Sequence, residues 1–168
     1  MLPLKKHNQN DFQTPPEALD WLVPYLKRDW IIWECAAGDG YLVKGLLERG
    51  FTVVHTDIRE DLPYGGVDFL KDDCERNWRC IVTNPPYSLK NEFLERCYQL
   101  GKPFALLLPL TTLETQRRQR LFKKYGVEII LLPKRINFIT PSGRGSGAWF
   151  AVAWFTWGLN IGKQLIFP

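Results

Sequence analysis

Cys80-Ile81-Val82-Thr83-Asn84-Pro85-Pro86-Tyr87-Ser88 states a structure and a chemistry in one run. Cys80 to Thr83 are apolar or β-branched without polar alternation, the pattern of a central parallel strand covered on both faces. Two prolines then stop the ladder. Pro85 has no N–H to donate and Pro86 holds residue 85 extended, so the carbonyls at this strand end face a crevice. Asn84 adds a side-chain amide oxygen, and with a neighbouring carbonyl it makes a rigid pair of acceptors for both hydrogens of an NH2 group. Tyr87 offers a flat face for a planar group. Such a grip has a catalytic use. The lone pair of an adenine amine or a carboxamide is delocalised, and accepting both hydrogens favours a pyramidal nitrogen that can attack an electrophilic carbon in line.

Upstream, the apolar run Trp30 to Cys35 opens into Glu34-Cys35-Ala36-Ala37-Gly38-Asp39-Gly40. A helix with Leu42, Val43, Leu46 and Leu47 on one face follows, and Gly50 stops it. Strand, glycine turn and helix form the first unit of a doubly wound sheet, where a ligand can approach the backbone at Gly38 and Gly40. The next strand, Phe51 to Thr56, ends in Asp57, an acid placed to accept two ribose hydroxyls. No third glycine follows Gly40, so the turn favours a nucleoside without phosphates over a dinucleotide. Further on, Val67 to Leu70 is a short apolar stretch in which Asp68 and Phe69 can bind an adenine or equally serve as a capping acid and a core ring.

At the N-terminus, residues 5 to 13 read as a polar arm anchored by Phe12. Thr14-Pro15-Pro16-Glu17 then predicts a helix with Thr14 as N-cap, ended by Pro24. After the central motif come a helix from Leu89 to Leu100, a strand from Phe104 to Leu110, and a helix from Thr112 to Tyr125 behind a Thr111/Glu114 capping box. Arg117, Arg118, Arg120, Lys123 and Lys124 give that last helix a basic surface. Val127 to Leu132 and Ala148 to Trp157 are predicted to form an antiparallel pair around the glycine-rich loop Pro141 to Gly147, which is expected to close over a substrate. The tail from Gln164 is a candidate edge strand.

The chain has 168 residues, 45% of them hydrophobic, which suits one domain with a full core and no separate recognition domain. Residues 1 to 84 hold 10 Lys/Arg against 14 Asp/Glu, and residues 85 to 168 hold 12 against 4. That basic second half favours an anionic partner, nucleic acid first. Cys35, Cys74, Cys80 and Cys97 form no C-x-x-C pair and lie near no histidine cluster, so no metal site is expected. Reduced thiols, the lack of an apolar leader and the lack of a long apolar run lead us to expect a cytoplasmic protein outside the membrane.

In this order the motifs resemble the S-adenosylmethionine-dependent amino-methyltransferases, most of all the DNA adenine methyltransferases whose cofactor motif is N-terminal. The resemblance spans roughly residues 12 to 157. It implies a Rossmann-like α/β fold, a seven-stranded mixed sheet with helices on both faces and its last strand antiparallel. It also implies S-adenosylmethionine as cofactor. Thr14 would meet the methionine carboxylate, Glu34, Ala36, Gly38 and Gly40 would line the methionine and ribose, Asp57 would hold the ribose, and Asp68 with Phe69 the adenine. Asn84, Pro85, Pro86 and Tyr87 would be catalytic. Tyr87 and Phe138 would stack on an extruded base. Apart from the resemblance, the basic second half, chiefly the Arg117 to Lys124 helix, Lys134, Arg135 and Arg144, is expected to meet the phosphates of DNA. Relatives that read a DNA site often carry a target-recognition domain, which this chain would borrow from a partner subunit. Adenine methylation in RNA, methylation of a protein glutamine, and a non-catalytic nucleic-acid-binding subunit are the alternatives.

Overall fold

The structure is a computed structural model that describes residues 13–139, 146–147 and 150–166. Its sheet is built from β1 (Ile31–Glu34), β2 (Thr52–His55), β3 (Cys80–Thr83), β4 (Phe104–Pro109), β5 (Glu128–Leu131), β8 (Val152–Trp157) and β9 (Leu165–Ile166). These lie in the order β2-β1-β3-β4-β8-β5-β9, and β6 (Asn137–Phe138) pairs with β7 (Ser146–Gly147) apart from them. β8 runs antiparallel to both β4 and β5, while the other pairings in the sheet are parallel. The Rossmann-like mixed sheet is therefore present, with its antiparallel strand where the apolar run before Trp157 placed it. Its seventh strand is the tail: Leu165–Ile166 pairs with β5, whereas 67 to 70 forms no strand.

Helices α1 (Tyr41–Glu48), α2 (Lys90–Leu100) and α3 (Gln116–Tyr125) cover the sheet. On one face Leu42 and Leu46 of α1 join Leu19, Leu22, Ile32, Val82 and Trp154 in one core cluster. On the other, Phe93, Leu94 and Cys97 of α2 pack with Trp33, Ile81, Leu106 and Phe155. The two fully buried tryptophans, Trp33 and Trp154, satisfy their only donor. Trp33 Nε1 donates to Thr56 Oγ1 at 2.9 Å, and Trp154 Nε1 donates to the Ala18 carbonyl at 2.8 Å, which ties the N-terminal segment onto the sheet. Gly45 completes that tie, because a Cβ there would meet Leu19 Cδ1 at 2.9 Å.

The departures from expectation have local causes. Thr14 does not cap a helix. Pro15 and Pro16 keep the entry extended, with Pro15 at ψ 141°, so the chain makes two short 3-10 turns, Pro16–Leu19 and Val23–Tyr25, and Thr14 is buried. The Thr111/Glu114 box also fails: Leu110–Leu113 is a 3-10 turn and α3 starts at Gln116, after Thr115 turns the backbone at φ 76°. Leu47 leaves the α1 core face and is 53% exposed. The arm up to Phe12, Arg144 and most of the Pro141 to Gly147 loop lie outside the described residues. Among the described residues no helix is long and apolar enough to cross a membrane, and the four cysteines are free thiols.

Two of the five cations expected on the surface of α3 are committed to holding the fold. Arg118 is only 6% exposed, and it donates to the Thr112 carbonyl at 2.6 Å, to the Thr111 carbonyl at 3.3 Å and to Asn91 Oδ1 at 2.8 Å. Arg117 makes a bidentate pair with Glu95 at 2.7 and 2.9 Å. Lys123 and Lys124 sit in the last turn of α3, at the end where Tyr98 bonds Gly126, opposite the carboxyl end of the sheet. Arg118→Ala strands two carbonyls and an amide oxygen, so urea unfolding should show a loss of about 3 kcal/mol. Exposed Arg120→Ala should stay within about 0.5 kcal/mol.

Candidate cofactor and target site

The chain passes from β1 to β2 on one side and then crosses to β3 on the other. That switch opens a crevice at the carboxyl ends of β1 and β3, where open α/β sheets bind ligands. A cleft of about 440 Å³ occupies it, lined by Thr14, Glu34, Ala36, Gly38, Asp57, Asp68, Phe69 and Asn84 among others. This is within the usual range of small-molecule sites. The predicted cofactor residues thus converge on one cavity, apart from Gly40, which stands at the start of α1 with φ 85°.

Two devices shape the turn after β1. Gly38, at φ 54°, donates its N–H to Asp57 Oδ2 at 2.8 Å, and the Tyr64 hydroxyl donates to its carbonyl at 2.7 Å. The loop after β2 folds back over the turn because the Asp57 N–H donates to the Tyr64 carbonyl and the Val67 N–H to the Asp57 carbonyl. Asp57 also accepts from the Arg59 N–H at 2.9 Å, while Arg59 reaches Asp39 at 2.9 Å. Asp57 therefore holds the turn's shape in addition to facing the cleft. Asp68 is similarly double: Oδ1 caps the Leu70 N–H at 3.0 Å and Oδ2 pairs with Lys71 at 3.1 Å. Phe69 is a core ring, edge-on to Trp33 at 5.3 Å, that shows one side to the cleft.

Glu34 has the most unusual surroundings. It is 1% exposed, one oxygen accepts the Ala36 N–H at 3.0 Å, and among the described residues no cation stabilises its charge. Burial pushes its carboxyl up to about 8, Asp57 adds to the rise, and the Thr83 hydroxyl and Ala36 N–H oppose it. A buried acid of this kind on the floor of a cleft is suited to a cationic ligand group.

At the target end, Asn84 and Pro86 line the cleft and Pro85 is buried. Tyr87 stands beside it, in the 3-10 turn Tyr87–Leu89, with its ring edge-on to Phe150 at 5.9 Å. Burial pushes its hydroxyl pKa up. Phe138 is 1% exposed and belongs to the core cluster against which Tyr87 and Phe150 pack. In this structure it is part of the core and presents no face to a base. Arg117, held by Glu95, lies outside the cleft.

Gln13 and Ile58 also line the cleft, and sequence reasoning missed both. Ile58 is 62% exposed and forms part of the cleft wall. A lone aliphatic directly after a strand-end acid in a polar stretch was the available signal. Gln13 carried none, since only folding brings it to Asp39.

A ligand matched to these walls has a cationic end over Glu34, hydroxyl donors toward Asp57, and a flat apolar part beside Ile58 and Phe69. No protein-family model and no curated protein sequence matches the chain. Solved structures do match in fold. A TehB-like SAM-dependent methyltransferase from Corynebacterium glutamicum ATCC 13032 Kitasato aligns over 84% of this chain and 86% of its own, at 12% identity and TM-score 0.51. The 23S rRNA methyltransferase ErmE aligns over 86% and 68%, at 15% identity and TM-score 0.55. The modification subunit of a putative type I restriction enzyme from Vibrio vulnificus YJ016 aligns over 90% of this chain and 45% of its own, at 14% and 0.56. The chain has the fold of the SAM-dependent methyltransferases.

Because the folded pKa of Glu34 is raised, its contribution to stability is full below the ordinary value of 4.5 and is lost as pH rises toward about 8, then stays level. The melting temperature of the free chain should fall across that window relative to Glu34→Gln, which lacks the titration. Parallel melting curves for the two proteins would remove the buried-acid account.

Proposed function

We propose that this chain transfers a methyl group from S-adenosylmethionine to the exocyclic amine of adenine in DNA. The observation that carries the reading is the placing of Asn84 at one end of the cleft whose other walls are Glu34, Gly38 and Asp57. Asn84, one of the two acceptors that would grip an NH2 group, lines the same cavity as these residues. The walls fit the cofactor: Glu34 for its ammonium, Thr14 for its carboxylate, Asp57 for the ribose, and Ile58, Asp68 and Phe69 for the adenine. When bound, the cofactor supplies an electrophilic methyl carbon on a sulfonium. The Asn84 amide oxygen and the Pro85 carbonyl then accept the two hydrogens of the target amine, and its lone pair is directed at that carbon. Both acceptors are held by the end of β3, so little reorganisation is needed as the nitrogen becomes pyramidal.

A nucleic-acid target is supported by the cations that the fold leaves over. Lys134 and Arg135 are exposed after the end of β5, at the same carboxyl edge of the sheet as Asn84, and they form no ion pair among the described residues. A duplex or single strand crossing this edge would bring phosphates to them, whereas a glutamine side chain would have no use for them. The motif residues are equally suited to RNA, and one of the structures of similar fold is an rRNA methyltransferase.

Incubation with methyl-labelled cofactor and separate DNA, RNA and protein pools should label DNA at adenine N6. Label in protein alone would overturn the reading. Asn84→Ala should lower turnover about 100-fold or more with cofactor affinity near wild type, because the acceptors act chiefly in the transition state. Asp57→Ala should instead weaken cofactor binding, by about 1.5 to 3 kcal/mol in calorimetry. Replacing Lys134 and Arg135 by alanine should reduce the slope of log affinity against log salt by about 0.9 for each duplex phosphate that is no longer neutralised.

A further inference from the structure

Among the described residues, Gln13 reaches both ends of the site. Its side-chain oxygen accepts the Asp39 N–H at 3.2 Å, and its amide lies so close to Gly38 that a Cβ on the glycine would sit 2.8 Å from Nε2 and 2.9 Å from Oε1. Its main chain exchanges two hydrogen bonds with Ile139, at 2.9 and 3.0 Å. Ile139 follows Phe138, a member of the core cluster against which Tyr87 and Phe150 pack. The side chain of one residue thus covers the cofactor turn while its backbone holds the segment on the target side.

The bridge between residues 13 and 139 is isolated, with no ladder continuing it among the described residues. Two hydrogen bonds outside a ladder open at low free energy, and opening would carry Gln13 off the turn. A ligand against Gly38 meets Gln13 only while the bridge is closed, since Gln13 itself lines the cleft. Such a ligand shifts the population toward the closed bridge by its differential contact with the two states.

We infer that Gln13 is a positioning residue that makes the target-side segment around Phe138 and Ile139 respond to occupancy of the cofactor turn. This rests on the reading of the cleft as a cofactor site. Free chain would open the Gln13–Ile139 bridge more often, and loaded chain would hold it closed, so that target recognition follows loading. By linkage the coupling is reciprocal, and a bound target would tighten the cofactor by the same factor.

The test is hydrogen exchange of the full chain with and without saturating S-adenosylhomocysteine, with calorimetry of the same ligand alongside. In wild type the Ile139 amide should exchange about 10-fold more slowly when ligand is bound. Gln13→Ala should lose that protection while ligand affinity falls by no more than about 5-fold, a loss of about 1 kcal/mol. Gln13→Asn, too short to reach Asp39, should behave as Gln13→Ala and is the milder change. Gln13→Glu, which keeps an acceptor for the Asp39 N–H, should retain the protection. Ligand binding without added protection at Ile139 would overturn the coupling and leave the methyl-transfer reading standing, as would protection that survives in Gln13→Ala and Gln13→Asn. Failure of wild-type chain to bind the ligand at all would overturn both.

Discussion

The structure depends on one constraint: β1 is paired in parallel on both sides, with β2 from Ile31 to Glu34 and with β3 at Ile32 and Trp33. Parallel pairing makes neighbouring strands end at the same edge. Glu34, the turn to Gly38, Asp57 and Asn84 are therefore brought to one rim, although up to 50 positions separate them in the chain. The apolar faces of Trp33, Ile81 and Val82 hold this pairing from both sides, so the site inherits its rigidity from the most buried part of the core.

That rigidity holds an acid where water would otherwise be needed, and burial favours its neutral form. Glu34 is buried with no cation beside it among the described residues, and Asp57 lies close enough to raise its pKa further. Asp57 is drawn in by the Gly38 and Arg59 N–H groups, which are positioned by the loop that Tyr64 closes. The state of the two acids is thus set by backbone donors and burial, and an incoming cation would favour the ionised form of Glu34. The rest of the ionic groups divide by a similar logic. Arg118 and Arg117 are spent on joining α3 to α2, while Lys134 and Arg135 stay exposed at the rim.

The N-terminal segment is built into the fold and also lines the cleft. Pro15 and Pro16 deny it a helix, Trp154 takes its Ala18 carbonyl, and Gly45 makes room for Leu19. Held in that way, Thr14 is buried at the cleft wall and Gln13 reaches over the turn at Gly38.

The sequence by itself determined the buried strands, the glycine turn, the acid after β2 and the Asn84 motif. Each is written in a contiguous run whose residue types answer to local backbone physics. β3 was legible to the residue, because two prolines admit no continuation of the ladder. The first helix and the start of α3 were misread because a capping pattern competes with proline geometry and with tertiary packing, and here it lost. The roles of single side chains were decided only by the tertiary structure. Arg118 and Phe138 look like surface contacts in the chain and are buried in the fold, and Gln13, silent in the sequence, meets Asp39 and Ile139 across long spans of chain. The reason is physical: a strand or turn is specified by neighbours along the chain, whereas burial and partnership depend on which distant surfaces the sheet brings together.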